Sequence, residues 1–92
     1  MSERDRAGRY LIKFQKEHPK AFVYNIPDSP VGRKPFDALI FDVGVFTAIE
    51  FKMEGGKLKP HQKDALMRVR ENGGVAKAVY FGTRGISKEV VL

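Results

Sequence analysis

The stretch Ala48-Ile49-Glu50-Phe51-Lys52 decides how this chain is read. It is an apolar run interrupted by two opposite charges two residues apart. Successive side chains of a β-strand alternate between faces, so Glu50 and Lys52 share one face while Val45, Thr47, Ile49 and Phe51 line the other. A carboxylate and an ammonium on an otherwise apolar strand are costly to bury without partners. Candidate partners flank the stretch. Lys34-Pro35-Phe36-Asp37 opens a second apolar run upstream, Ala38-Leu39-Ile40-Phe41, and Gln62 stands near the start of a helix downstream.

The hydrophobic pattern gives the remaining elements. Ala7, Tyr10, Leu11 and Phe14 follow the i, i+3, i+4, i+7 rule and predict a helix over 3–17. Ser2 suits its N-cap, Glu3 and Asp5 its first turn, and His18-Pro19 ends it, with His18 as a cap. Residues 21–26 and 37–42 read as strands, separated by a Pro- and Gly-marked loop over 27–32. Val43-Gly44 fits a tight turn, so 37–42 and 45–52 form a hairpin, and Asp42 is a turn residue. Gly55-Gly56 breaks the chain. Pro60 opens a second helix over 60–72, with Gln62, Leu66 and Val69 on one face and Gly73-Gly74 at its end. Residues 75–81 form a strong strand, and 87–92 are either a short edge strand or a tail. The order is helix, three strands, helix, strand: an α/β chain with a mixed sheet, built as a meander followed by a helical crossover.

Length and composition bound the function. Ninety-two residues make one domain, 1–92. A domain of this size buries little more than ~60% of its unfolded surface, so oligomerisation would help it. There is no cysteine, which excludes disulfides and thiolate zinc sites. No apolar stretch approaches the ~18 residues of a membrane span, and the charged start Met1-Ser2-Glu3-Arg4-Asp5-Arg6 is unlike a signal peptide, so a cytoplasmic protein without a membrane partner is expected. The net charge of +6 favours polyanions, nucleic acid first.

Asp37 at the start of one strand and Glu50 on the next bring two carboxylates together. That pairing suits Mg²⁺, a hard cation that takes a few carboxylates and keeps several waters. Lys52 could hold or help deprotonate a water and stabilise charge on a phosphate. A lone Glu-x-Lys is more often an ordinary cross-strand ion pair; Asp37 ahead of it and Gln62 behind it shift the balance toward a site. Positive charge clusters nearby. Lys57, Lys59, Lys63, Arg68 and Arg70 flank the second helix, and Arg4, Arg6 and Arg9 sit on the first. Such residues position a phosphate backbone without reading sequence, or are simply solvated. Arg33 and Lys34, beside Asp37, are better placed to touch a scissile strand. His61 lies off the Gln62–Leu66 face and suits a phosphate or structural contact better than a general base. No helix-turn-helix or zinc-finger pattern offers base-specific readout.

These residues carry a resemblance. Pro35-Phe36-Asp37, Glu50-Phe51-Lys52 and Gln62 resemble the PD-(D/E)xK nuclease superfamily. Leu58-Lys59-Pro60-His61-Gln62, followed by Glu71-Asn72-Gly73-Gly74-Val75 and an apolar strand, resembles Holliday-junction resolvases of the RecU type. The compact Glu-x-Lys, glycine, Gln-helix layout also resembles minimal VRR-NUC domains. The likeness spans roughly residues 3–82. It implies a restriction-endonuclease-like αβββαβ core with a mixed central sheet. It also implies metal ligation by Asp37, Glu50 and the Phe51 carbonyl, Lys52 serving the attacking water, and Gln62 reaching in from the second helix. Mg²⁺ is the implied cofactor, with Mn²⁺ able to substitute. An acid on the first helix is common in this superfamily; Glu3 is the choice here and Glu17 the alternative. Phe36 breaks the literal Pro-Asp pair. An intact Pro27-Asp28 lies in a loop with no apolar run after it, so Asp37 is preferred. The RecU stalk has no counterpart in these residues. The implied activity is a metal-dependent, structure-selective DNA endonuclease, first of all a resolvase cutting four-way or other branched DNA as a homodimer, because symmetric cleavage needs two sites. The alternatives are a VRR-NUC-type nuclease on flaps, nicks or other branches, and a non-catalytic nucleic-acid-binding module. A sequence-specific restriction-type enzyme ranks below these, because the chain leaves little room for a recognition element.

Overall fold

A computed structural model describes residues 2–92. The elements run α1 (Glu3–Glu17), β1 (Phe22–Asn25), β2 (Ala38–Asp42), β3 (Val45–Met53), α2 (Pro60–Glu71), β4 (Val75–Gly82) and β5 (Gly85–Val91). The strands make one five-stranded sheet in the order β1-β2-β3-β4-β5. Only β3 and β4 are parallel, joined through α2; every other pairing is antiparallel. The expected α/β class and mixed sheet are both present.

The alternation of β3 divides its residues between two cores. Ile49 and Phe51 pack with Ala38, Ile40, Val79 and Phe81 under Ala7 and Leu11 of α1. Ala48 packs on the other face with Ala76, Phe36 and Leu66 of α2. Glu50 shares that second face, in register with Ala78, whose small side chain leaves room for a longer neighbour. The helix ends follow the sequence. Ser2 Oγ accepts from the Asp5 N–H at 3.2 Å, and the His18 N–H caps α1 on the Phe14 carbonyl. His18 also stacks on Phe14 and lies 3.4 Å from Asp42, which is the last residue of β2 and borders the turn.

The hairpin turn between β2 and β3 has left-handed backbone at both central residues, Val43 at φ 49° and Gly44 at φ 77°. This conformation matches the twist of the flanking strands. Glycine accepts it freely, whereas a β-branched valine does so only under strain. Gly74 is required for a different reason. A Cβ there would lie 2.7 Å from Val69 Cγ1 and 3.0 Å from the Phe46 carbonyl.

At the C-terminus the edge-strand alternative holds. Residues 87–91 belong to β5, which begins at Gly85, two residues before the expected start, and pairs antiparallel with β4. The αβββαβ core therefore gains a fifth, edge strand. Its side chains are almost all exposed, so no apolar alternation announces it. Asp37 precedes β2 by one residue rather than opening it. No helix among the described residues is long and apolar enough to cross a membrane.

One end of the sheet collects the charged residues. Parallel β3 and β4 finish there, antiparallel β2 begins there, and the first turn of α1 overlies it.

Candidate active site

Asp37 is fixed by backbone on both sides. Its N–H donates to the Ile49 carbonyl at 3.0 Å, and its own carbonyl accepts from the Ile26 N–H at 2.9 Å. Its Oδ2 accepts from the Phe51 N–H at 2.8 Å. The start of β2 is thereby clamped to the end of β3, and the Asp37 carboxylate lies beside Glu50.

Glu50 is 3% exposed and is the one buried charged residue among those described. Gln62 Nε2 donates to its Oε2 at 3.0 Å, and Lys52 Nζ lies 3.7 Å from the same oxygen. Gln62 has a second task. Its Oε1 accepts from the Lys59 N–H at 3.0 Å, capping the first turn of α2 and fixing the amide that faces Glu50. Burial first, and then the adjacent Asp37 carboxylate, push the Glu50 carboxyl up to about 8; Lys52 and Lys34 offset this only in part. Two close carboxylates in a dry site resist ionising together.

Glu3 overlooks the same place from α1. The residue keeps much of its surface in solvent, yet its carboxyl is raised, first by burial against the cleft wall and then by Asp37. Glu17, the alternative acid, stands exposed at the far end of the helix. Glu3, Asp37 and Phe51 line a cleft of about 400 Å³, together with Arg4, Asn25 and Asp28. Glu50 and Lys52 are not part of its lining.

Asp28 was passed over in the sequence because no apolar run follows it. The structure folds its loop back over the cleft. Lys34 Nζ lies 2.9 Å from Asp28 Oδ1 and 3.2 Å from Asp37 Oδ1, and it donates to the Ile26 carbonyl at 3.2 Å. Burial works against the Lys34 ammonium, but its bonds to Asp28 and Asp37 hold its pKa above the usual value. Lys34 therefore lines the cleft while its ammonium is engaged with two carboxylates. A residue six positions before Lys34 supplies the second of these carboxylates, and no local sequence signal marks such a pairing.

Arg33 and His61 meet on the rim, with Arg33 Nη1 3.2 Å from His61 Nδ1. Lys57, Lys59 and Lys63 are exposed around the start of α2, and none has an acidic partner among the described residues. Arg68, by contrast, pairs with Asp64 at 3.2 Å.

The donor set fits a divalent cation of the Mg²⁺ type. Among the described residues, no three carboxylate or imidazole groups close into a cage. Mg²⁺ does not need one, since it is held by one or two carboxylates with the remaining positions left to water and phosphate. The positive feature is the adjacent Asp37–Glu50 pair, whose repulsion Lys34 and Lys52 offset only in part, so that the Glu50 proton is held to about 8, with Glu3 close enough to feel Asp37. A cation at that pair would relieve the repulsion.

No family model matches the sequence, and no curated protein matches it. Solved structures do. The chain is similar to Hjc of Archaeoglobus fulgidus, a Holliday junction resolvase from an archaeal hyperthermophile. The TM-score is 0.67 at 18% identity, covering 94% of this chain and 72% of that one. It is also similar to a VRR_NUC domain, with a TM-score of 0.66 at 24% identity, covering 91% of this chain and 89% of that one. At these identities the likeness is one of fold: the mixed five-stranded sheet with its two helices matches both structures over most of this chain.

Proposed function

We propose that this protein is a metal-dependent endonuclease that hydrolyses phosphodiester bonds in branched DNA. The observation that carries the reading is the buried Glu50 carboxyl, set beside Asp37 and held by Gln62 and Lys52. Asp37 and Glu50 would hold Mg²⁺ or Mn²⁺, with the Phe51 carbonyl and Glu3 as further oxygen donors. The ion would supply Lewis-acid polarisation of a phosphoryl oxygen and a more acidic water. Lys52 holds and orients the attacking water and balances charge growing on the phosphate. Gln62 keeps Glu50 in place. Arg33, His61, Lys57, Lys59 and Lys63 bind the phosphate backbone around the cleft, whereas Lys34 sets the Asp37 carboxylate.

Both structural neighbours support a nuclease, and one of them is a Holliday junction resolvase. A four-way junction cut symmetrically requires two sites, so the resolvase reading carries a homodimer with it. An apolar patch suited to that contact lies on β1 and β2, where Phe22 is 61% exposed, Tyr24 45% and Phe41 48%. The test is cleavage of end-labelled four-way junction, flap and linear duplex with Mg²⁺ and with EDTA, beside sedimentation of the free protein. Paired nicks in the junction from a dimer support the resolvase. Metal-dependent cutting of flaps by a monomer keeps the active site and changes the substrate. Tight binding without cleavage under Mg²⁺ or Mn²⁺ overturns the enzyme.

A further inference from the structure

A second cavity of about 390 Å³ lies between α1 and the β4–β5 turn. Its walls are basic and its floor is apolar. Arg6, Arg9 and Lys13 come from one face of α1 at i, i+3 and i+7, and Arg84 comes from the turn opposite. Tyr10, Phe81 and Ile86 make the floor. No carboxylate lines it. Arg9, Lys13 and Arg84 are exposed and have no acidic partner among the described residues. Lys77, the nearest other cation to Tyr10, is by contrast paired with Glu89 at 3.1 Å. Arg6 donates through Nη1 to the Gly82 carbonyl, while its Nε is buried without a partner. The groove thus holds four cations, one of them with an unmatched donor.

The groove adjoins the carboxylate cleft. Phe51 lines the cleft and Phe81 the groove, and their rings stack with centroids 5.7 Å apart. Arg4 and Ala7 of α1 face the cleft, while Arg6 and Arg9 face the groove. The two sites therefore lie on either side of the first turns of α1.

From this geometry we infer that the groove binds a single-stranded arm of nucleic acid extending from the active-site cleft. The inference rests on the endonuclease reading for its direction, and it names the substrate's feature: an unpaired strand next to the point of cleavage. Cations along the walls suit successive phosphates, and the apolar floor suits the face of an unstacked base. The cavity has the size of a site for one small ligand. That volume accommodates a nucleotide rather than a length of duplex.

The test is binding in EDTA, where nothing is cut. Fluorescence anisotropy of a labelled oligothymidylate and of a matched duplex is measured against salt for three proteins. These are wild type, the groove triple Arg9→Ala/Lys13→Ala/Arg84→Ala, and a control triple Lys16→Ala/Lys20→Ala/Arg70→Ala that removes equal charge from exposed positions outside both the cleft and the groove. All six residues are exposed, and circular dichroism checks the fold. Each phosphate contact to a single strand contributes a slope of about 0.7 in the log–log salt plot. The groove triple should therefore flatten the single-strand plot by about two and weaken binding at 0.1 M salt by up to about a hundredfold, with duplex binding changed less than about threefold. Equal loss of single-strand binding in both triples would overturn the assignment, as would parallel loss of strand and duplex. So would displacement of the strand by polyglutamate as readily as by unlabelled oligothymidylate. Because no cleavage is read, the groove and the endonuclease can fail separately: loss of strand binding in a protein that never cuts keeps the groove, and wild-type binding by the groove triple of a protein that does cut removes the groove alone.

Discussion

Two clusters in this small protein are built from the same residue types and behave in opposite ways. At β4 and β5, Lys77 Nζ lies 3.1 Å from Glu89 Oε1, and the Tyr10 hydroxyl donates to the same oxygen at 2.9 Å. Burial disfavours both charges there, yet their mutual hydrogen bonds win: Lys77 is held above its usual range and Glu89 below. At β2 and β3, burial and Asp37 drive Glu50 the other way, to about 8, because its closest charged neighbour in effect is another carboxylate and Lys52 stands 3.7 Å off. The first cluster neutralises itself and needs nothing more. The second keeps a buried carboxyl protonated beside a carboxylate, a strained arrangement that a bound cation would relieve by letting both ionise.

The comparison breaks most sharply under paired lysine substitutions. Lys52→Ala should lower the single-turnover cleavage rate by about 10²-fold or more and shift the melting temperature little. Lys77→Ala should do the reverse, leaving the rate unchanged and costing up to about 1 kcal/mol of stability on denaturant unfolding, since it removes the ion pair to the largely solvated Glu89 and the packing of the lysine stem against Tyr10. Equal effects on rate and stability from both would mean that the clusters do not differ in kind.

Next in size is the pH dependence in EDTA. Glu50 has a folded pKa raised above its unfolded value, so its contribution to stability is complete below about 4.5 and is lost as pH climbs through about 8. Glu89 has a folded pKa held below its unfolded value, so its contribution is present above about 4.5 and is lost as pH falls through the lowered value. Thermal melts should therefore show Glu50→Gln flattening the alkaline limb and Glu89→Gln the acid limb. Mg²⁺ should restore the wild type most at pH 9, where Glu50 is ionised, and should not restore Glu50→Gln.

The smallest effect lies outside both clusters. Val43 is 93% exposed and adopts a left-handed turn conformation that suits asparagine better. Val43→Asn should add about 0.5–1 kcal/mol by chemical denaturation and leave cleavage unchanged.

Much of this was legible in the residues. Strict alternation in 45–52 put Glu50 and Lys52 on one face, and the spacing of Gln62, Leu66 and Val69 turned Gln62 inward, where it meets Glu50. The charge on Glu3 is coupled to Asp37 across the chain, as a first-turn acid on the buried stripe implied. What escaped detection depends on long-range closure. Asp28 reaches Asp37 only through the shared Lys34 ammonium, and the choice between edge strand and tail for 87–92 stayed open because the order of β5 comes from backbone pairing with β4. Periodicity records burial, so an element that buries almost nothing leaves little trace. The basic groove was missed in the same way. Arg6 and Arg9 were visible as charges, but Arg84 joins them only once β5 folds back.

The most direct test compares wild type with Asp37→Ala in single-turnover cleavage of a labelled four-way junction at saturating Mg²⁺, with binding of the same junction measured in Ca²⁺. The expected result is a rate lowered by at least about 10³-fold with junction binding within a fewfold of wild type, because the variant loses the cation and keeps the phosphate contacts. An Asp37→Ala protein that cuts at the wild-type rate would contradict the assignment of the Asp37–Glu50 pair as the catalytic centre.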